Sequence, residues 1–251
     1  RNPWIELVRM PERRERSFAG KAHAFNAGYQ RVRHLQFDVI GNVDADTSFE
    51  PDYFGFLLSK FRLFPGLGVA GTPFREGSFQ YDYRFVSLEH VSGACQLFRR
   101  QCFEEIGGYL PLEVGGVDLV AVTTARMRGW ETRSFSEKTY QHHRMTQGGG
   151  DFCVSRAFTT GCKDYLLGVH PVWEVCRAAH RMTKRPFLVI GAALLAGYSW
   201  ALIRRVSRPV PPEFVAFRRA EQMRRLRNFL VPGHSQRKEG GGWCEIGARR
   251  G

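Results

Sequence analysis

Residues Phe37 to Phe54, FDVIGNVDADTSFEPDYF, constrain the fold more than any other stretch. An apolar run with β-branched residues (Phe37, Val39, Ile40, Val43) has the pattern of a buried strand, and it stops abruptly in two carboxylates, Asp44 and Asp46. Charge at the end of a core strand is costly unless something binds it. Thr47, Ser48 and Pro51-Asp52 follow, then an amphipathic segment from Tyr53 to Phe64, so the order is strand, acidic loop, helix. In an open α/β sheet the carboxyl ends of the strands face the ligand crevice, which puts Asp44-Ala45-Asp46 on its floor. Two hard oxygen donors there suit Mg²⁺ or Mn²⁺, and such an ion can in turn hold a diphosphate. A plain turn is the other reading, because Asp, Thr and Ser also favour turns and helix caps.

The periodicity around this stretch extends the pattern. Ala22, Phe25, Tyr29, Val32 and Leu35 share one helical face, with Gly20 ahead of them and Lys21 at the helix start, where it is either a solvated charge or a partner for phosphate oxygens. Strands are predicted at Trp4–Val8, Leu67–Thr72, Ser92–Arg99 and Trp130–Phe135, and helices at Tyr53–Phe64, Arg100–Ile106 and Leu119–Arg128. Residues 74–91 show no clear period. Gly93 and Ala94 either pack closely or make room for a substrate. Asp118 reads as a helix N-cap.

Charge is unevenly spread over the 251 residues. From Arg177 onward there are 16 Lys and Arg against 4 Asp and Glu, whereas the first 176 residues hold 21 against 20. The total of +13 by itself would suit a nucleic-acid binder, but the globular part is nearly neutral and no nucleic-acid partner is expected. The basic tail also contains the most apolar run, Phe187 to Ile203, bracketed by Lys184-Arg185 and Arg204-Arg205. Its 17 residues are read as a short membrane span, a helix lying in the interface, or a buried helix. Flanking cations favour a membrane, with the chain on its cytoplasmic face. Beyond Pro209, Pro211 and Pro212, Glu213 to Leu230 is a cationic helix that either rests on a membrane or presents a solvated face. Six cysteines without a Cys-x-x-Cys pair suggest buried or inert thiols in a reducing compartment.

Four stretches in order, GKAHAFNAG (Gly20 to Gly28), NVDADTSFEPDYF, SGACQLFRRQCFEEIGGY (Ser92 to Tyr109) and GGVDLVAVTTARMRGW (Gly115 to Trp130), resemble the family 2 glycosyltransferases. The resemblance covers roughly residues 20–144. It implies an α/β protein of the GT-A fold, a nucleotide-diphospho-sugar transferase with a central mixed sheet. It further implies inverting transfer of a sugar to a saccharide or lipid-linked hydroxyl acceptor, in the synthesis of cell-surface polysaccharide or glycoconjugate.

By the same resemblance Asp44 and Asp46 hold the divalent metal, Lys21, Asn26, Asp44 and Arg144 meet the donor, and Asp118 is the catalytic base. His142 or His143 completes the metal site or meets the diphosphate. Two departures stand out. Val117 replaces the acid that usually precedes the base, and the family's opening nucleoside-binding strand is not found, so it is expected upstream of Arg1 or missing. Both favour the alternative of a non-catalytic membrane-associated scaffold. The expected organisation is a catalytic domain at 1–150, a helical extension at 151–183, a spanning or interfacial helix at 184–206, a basic helix at 207–232 and a disordered tail at 233–251.

Overall fold

The computed structural model describes residues 2–12, 18–77, 79–80, 87–143 and 154–230. Arg144 and the tail at 233–251 lie outside the described residues. Chain contacts divide it into two compact units, Arg1–Cys153 and Val154–Gly251.

The first unit is mixed α/β. Its elements are α1 (Ala19–Val32), β1 (Val39–Val43), β2 (Thr47–Ser48), α2 (Tyr53–Leu63), β3 (Leu67–Gly71), β4 (Phe74–Glu76), β5 (Phe79–Gln80), β6 (Cys95–Arg99), α3 (Arg100–Glu105), α4 (Val117–Met127), β7 (Glu131–Ser134) and β8 (Tyr140–His142). One mixed sheet has the order β1-β6-β3-β7, in which β3 and β7 alone run parallel; a second has the order β2-β8-β4-β5. Predicted helices and strands from residue 19 to 135 fall within a few positions of these bounds. Trp4 to Val8 is not a strand: those residues are exposed and make no ladder among the described residues.

The predicted buried central strand is also corrected. Among the described residues β1 lies at the sheet edge and pairs with β6 alone, leaving Val43 44% exposed. Burial falls instead to β3, whose five residues are all buried. Against it α2 packs Tyr53, Leu57 and Phe61, in a core with Leu97, Phe135 and Tyr140. Arg99 closes the far end of α2, donating to the carbonyls of Phe61 in its last turn and of Phe64 and Leu67 just beyond it.

The second unit is helical: α5 (Val154–Leu166), α6 (Pro171–Met182), α7 (Val189–Ile203) and α8 (Pro212–Leu230). The helical extension is interrupted at His170-Pro171, with the His170 ring accepting from the Val172 amide as the cap of α6. The fifteen residues of α7 rise about 22 Å, short of the roughly 30 Å of hydrocarbon in a bilayer. No helix among the described residues is long and apolar enough to cross a membrane. Nor is α8 cationic on every side in water: Arg218 donates to the Leu167 carbonyl at 2.6 Å, and Arg225 pairs with the buried Glu221 at 3.4 Å.

Glycines set the spacing of α7 from its neighbours. A methyl on Gly197 would meet the Phe158 carbonyl oxygen of α5 at 1.9 Å, and one on Gly161 would meet the Leu194 oxygen of α7 at 2.0 Å. Neither obstacle can yield, because both are backbone. Gly197→Ala is therefore expected to force α5 and α7 apart and to cost about 3 kcal/mol, read as a lowered midpoint in urea unfolding of the whole chain followed by helical circular dichroism. Ala196→Ser, at an exposed position one residue earlier, is the control.

Candidate metal and transfer site

The acidic loop joins the two sheets. Asp44 extends the β1–β6 ladder by one bond, its amide donating to the Ala94 carbonyl at 2.9 Å. Three residues later Thr47 opens β2 in the other sheet, opposite His142 of β8. Within the loop the Thr47 hydroxyl donates to the Asp44 carbonyl at 2.6 Å, and the His143 amide donates to the Asp46 carbonyl at 2.8 Å. The turn reading and the ligand reading thus hold together, since the turn is what points both carboxylates one way.

Strand alternation divides the two histidines. His142 is buried at 7% exposure, with Nε2 3.5 Å from Asp46 Oδ1. His143, the other expected metal ligand, turns to the Ser48 hydroxyl at 2.9 Å, so it does not join the cluster. Asp44, Asp46 and His142 each offer a donor atom, and these atoms lie within 4.8 Å of one another. Bonds of about 2.1–2.3 Å around an octahedral ion separate opposite donors by about 4.2–4.6 Å, so this set closes on one ion with little movement. Two carboxylate oxygens and one imidazole suit Mn²⁺ better than Mg²⁺, which is poorly served by nitrogen.

Lys21, in the first turn of α1, bonds Asp44 Oδ1 at 2.5 Å and the Gly93 carbonyl at 2.8 Å. Asn42 donates to that same carbonyl at 2.7 Å. Gly93 is thereby pinned from two sides, and its other face meets Asp118. A methyl on Gly93 would lie 2.8 Å from both Cβ and Oδ2 of Asp118. Only a glycine lets the two approach so closely, as the packing reading of this position expects.

Asp118 is not the N-cap of α4. That place belongs to Gly116, which with Gly115 takes the left-handed conformation (φ 85° and 76°), and Asp118 sits half-buried in the first turn. Val117, where the resembling family carries an acid, is buried in the core. Glu113 is exposed on the loop before α4. Asn26 gives its amide to Tyr109: Nδ2 donates to the Tyr109 carbonyl at 2.7 Å, and Oδ1 accepts from the Tyr109 amide at 3.2 Å. A donor contact would need this clamp broken.

Sequence reasoning passed over three residues that the fold brings here: Tyr109, Gln96 and Glu76. The Tyr109 hydroxyl donates to Gln96 Oε1 at 2.6 Å. Burial above all, and then the nearby carboxylates of Asp118 and Asp44, hold this phenol protonated far above its usual range. Cys95 and Cys102 are buried thiols pushed up to about 11 and about 12, as expected of inert cysteines. The signal for Glu76 was one acid of three in an aromatic segment, which is no signal without the partner strand.

No family model matches the chain, and no curated protein gives a significant match. Among solved structures, the mannosyltransferase PcManGT of Pyrobaculum calidifontis, solved with GDP-Man and Mn²⁺, is similar to it over 91% of this chain and 70% of that one, at 17% identity and a TM-score of 0.48.

Gly93→Ala is expected to displace Asp118 or break the Lys21 and Asn42 bonds to the carbonyl. The outcome is a loss of about 1–3 kcal/mol in stability, measurable as a lowered thermal midpoint. Asp118→Gly in the same background should recover most of it, because it removes the side chain in the way.

Proposed function

We propose that the chain is an inverting glycosyltransferase that moves a sugar from a nucleotide-diphosphate donor to a hydroxyl of a saccharide or lipid-linked acceptor, in cell-surface polysaccharide or glycoconjugate synthesis. One observation carries this reading: Asp118 packs against Gly93, and the carbonyl of that same residue is tied through Lys21 to Asp44 of the Asp44, Asp46 and His142 cluster. Gly93 thus links the candidate base to the cluster fit for a cation. The four stretches that resemble family 2 glycosyltransferases lend the same support.

The acceptor oxygen bonds to the anomeric carbon as the bond from that carbon to the diphosphate oxygen breaks. Its proton passes to Asp118, and the electron pair leaves with the diphosphate. A positioned base is worth about 10² to 10⁴ in rate. Asp44, Asp46 and His142 would hold the divalent ion, which supplies Lewis acidity toward the leaving group. Lys21 adds a cation at the N-terminal turn of α1, where backbone amides also favour phosphate oxygens.

Val117 favours the second reading, a non-catalytic membrane-associated scaffold, since a buried valine stands where the family has its second acid. Titration of the chain with UDP and GDP, with and without Mn²⁺, separates the two, because a scaffold binds neither. For the enzyme, Asp118→Asn is expected to lower transfer by at least about 10²-fold while leaving Mn²⁺-dependent nucleotide binding within about twofold. Unchanged turnover removes Asp118 from its role, and Asp46→Asn should lose the Mn²⁺ dependence.

We propose further that the second unit attaches to the cytoplasmic face of a membrane by lying in its surface. Phe187, Leu188 and Val189 at one end of α7, and Trp200, Leu202 and Ile203 at the other, are exposed, beside the exposed Lys184, Arg185, Arg204 and Arg205. Apolar side chains next to cations match the boundary between acyl chains and anionic headgroups. Flotation with phosphatidylserine-containing vesicles should carry the chain upward. Replacing the four cations by Gln should lower the bound fraction several-fold, with little binding to neutral vesicles in either case.

A further inference from the structure

Glu76 is 3% exposed, at the end of β4. Isolating a carboxylate from water costs several kcal/mol unless charge and hydrogen bonds offset it. Its Oε1 lies 2.7 Å from His142 Nδ1. The parallel register of β4 and β8, with Phe74 opposite Tyr140 and Arg75 opposite Gln141, brings Glu76 level with His142. Phe74 covers the imidazole, ring centroid to ring centroid at 5.7 Å. The ring is therefore fixed in tilt and rotation.

A carboxylate accepts hydrogen bonds and cannot donate them, so Nδ1 carries the proton and Nε2 is left to face Asp46 and Asp44. Around this one imidazole stand three carboxylates, Glu76, Asp46 and Asp44, with Lys21 bonded to the last. An ion pair serving the fold alone has no need to aim the second nitrogen at two further carboxylates.

We propose that Glu76 is a positioning residue: through Nδ1 it sets the tautomer and orientation of His142, so that Nε2 is presented to a divalent ion shared with Asp44 and Asp46. This rests on the divalent-cation reading of the cluster, and goes beyond it by assigning a residue that makes no contact with the ion. Carboxylates in that place raise the basicity of the ligand, and their loss usually weakens binding by about 10- to 100-fold.

The test uses the full chain and Mn²⁺ alone, with free ion counted by electron paramagnetic resonance. Glu76→Gln should weaken Mn²⁺ binding by about 10- to 100-fold, with circular dichroism unchanged. Glu76→Asp keeps the charge and should recover part of the affinity, and it serves as the decisive variant if the Gln form does not fold. Proton NMR of the Co²⁺-loaded chain should show a strongly shifted imidazole N–H that disappears in Glu76→Gln. A folded Glu76→Gln that binds Mn²⁺ like the unaltered chain overturns the proposal. Failure of the unaltered chain to bind Mn²⁺ at all overturns the cation reading beneath it, which is a different result.

Discussion

Electrostatic balance at one loop governs the first unit. Asp44-Ala45-Asp46 leaves a ladder in one sheet and enters a ladder in the other, so two negative charges stand where the sheets meet. Left alone they would repel across a few ångströms. The fold answers with Lys21 from α1 and with the amides of Asp44 and His143 that hold the loop's course, while His142 from β8 turns Nε2 toward the pair. Helix α1, strand β8 and the turn at Gly93 are thus fixed by reference to the same pair of carboxylates.

Much of this was legible in the order of residue types. The change from apolar strand to acidic loop to amphipathic helix is local, and local pattern needs no knowledge of partners. Asp44, Asp46, Lys21 and Asp118 sit at the ends of well-patterned elements, so their neighbourhood followed once the elements were placed. His142 and His143 could not be told apart on sequence alone, because strand alternation assigns one to each face only when the register is known. Glu76 was invisible for a related reason: its meaning depends on β8, some sixty residues away and paired in parallel. β1 was misread as central because apolar content reports burial of side chains, whereas an edge strand can bury one face against helices and leave its outer rim open.

The apolar run of the second unit was legible as a helix, while its packing within the unit was not. Hydropathy counted 17 residues, whereas the helix they form has fifteen, from Val189 to Ile203, and much of its surface is consumed by neighbours within the unit. Gly191, Gly197, Tyr198 and Ala201 are buried there, and the Tyr198 hydroxyl donates to the Val169 carbonyl at 2.7 Å.

The glycines at the crossing of α5 and α7 carry a consequence for how that unit forms. Each glycine weakens its own helix by about 1 kcal/mol relative to alanine, and helices of thirteen and fifteen residues are already marginal in isolation. Neither segment would then hold its coil while separate in water. The shape of each exists only as a template for the other, so they coil and dock in one cooperative event, and cutting the chain between them would melt both.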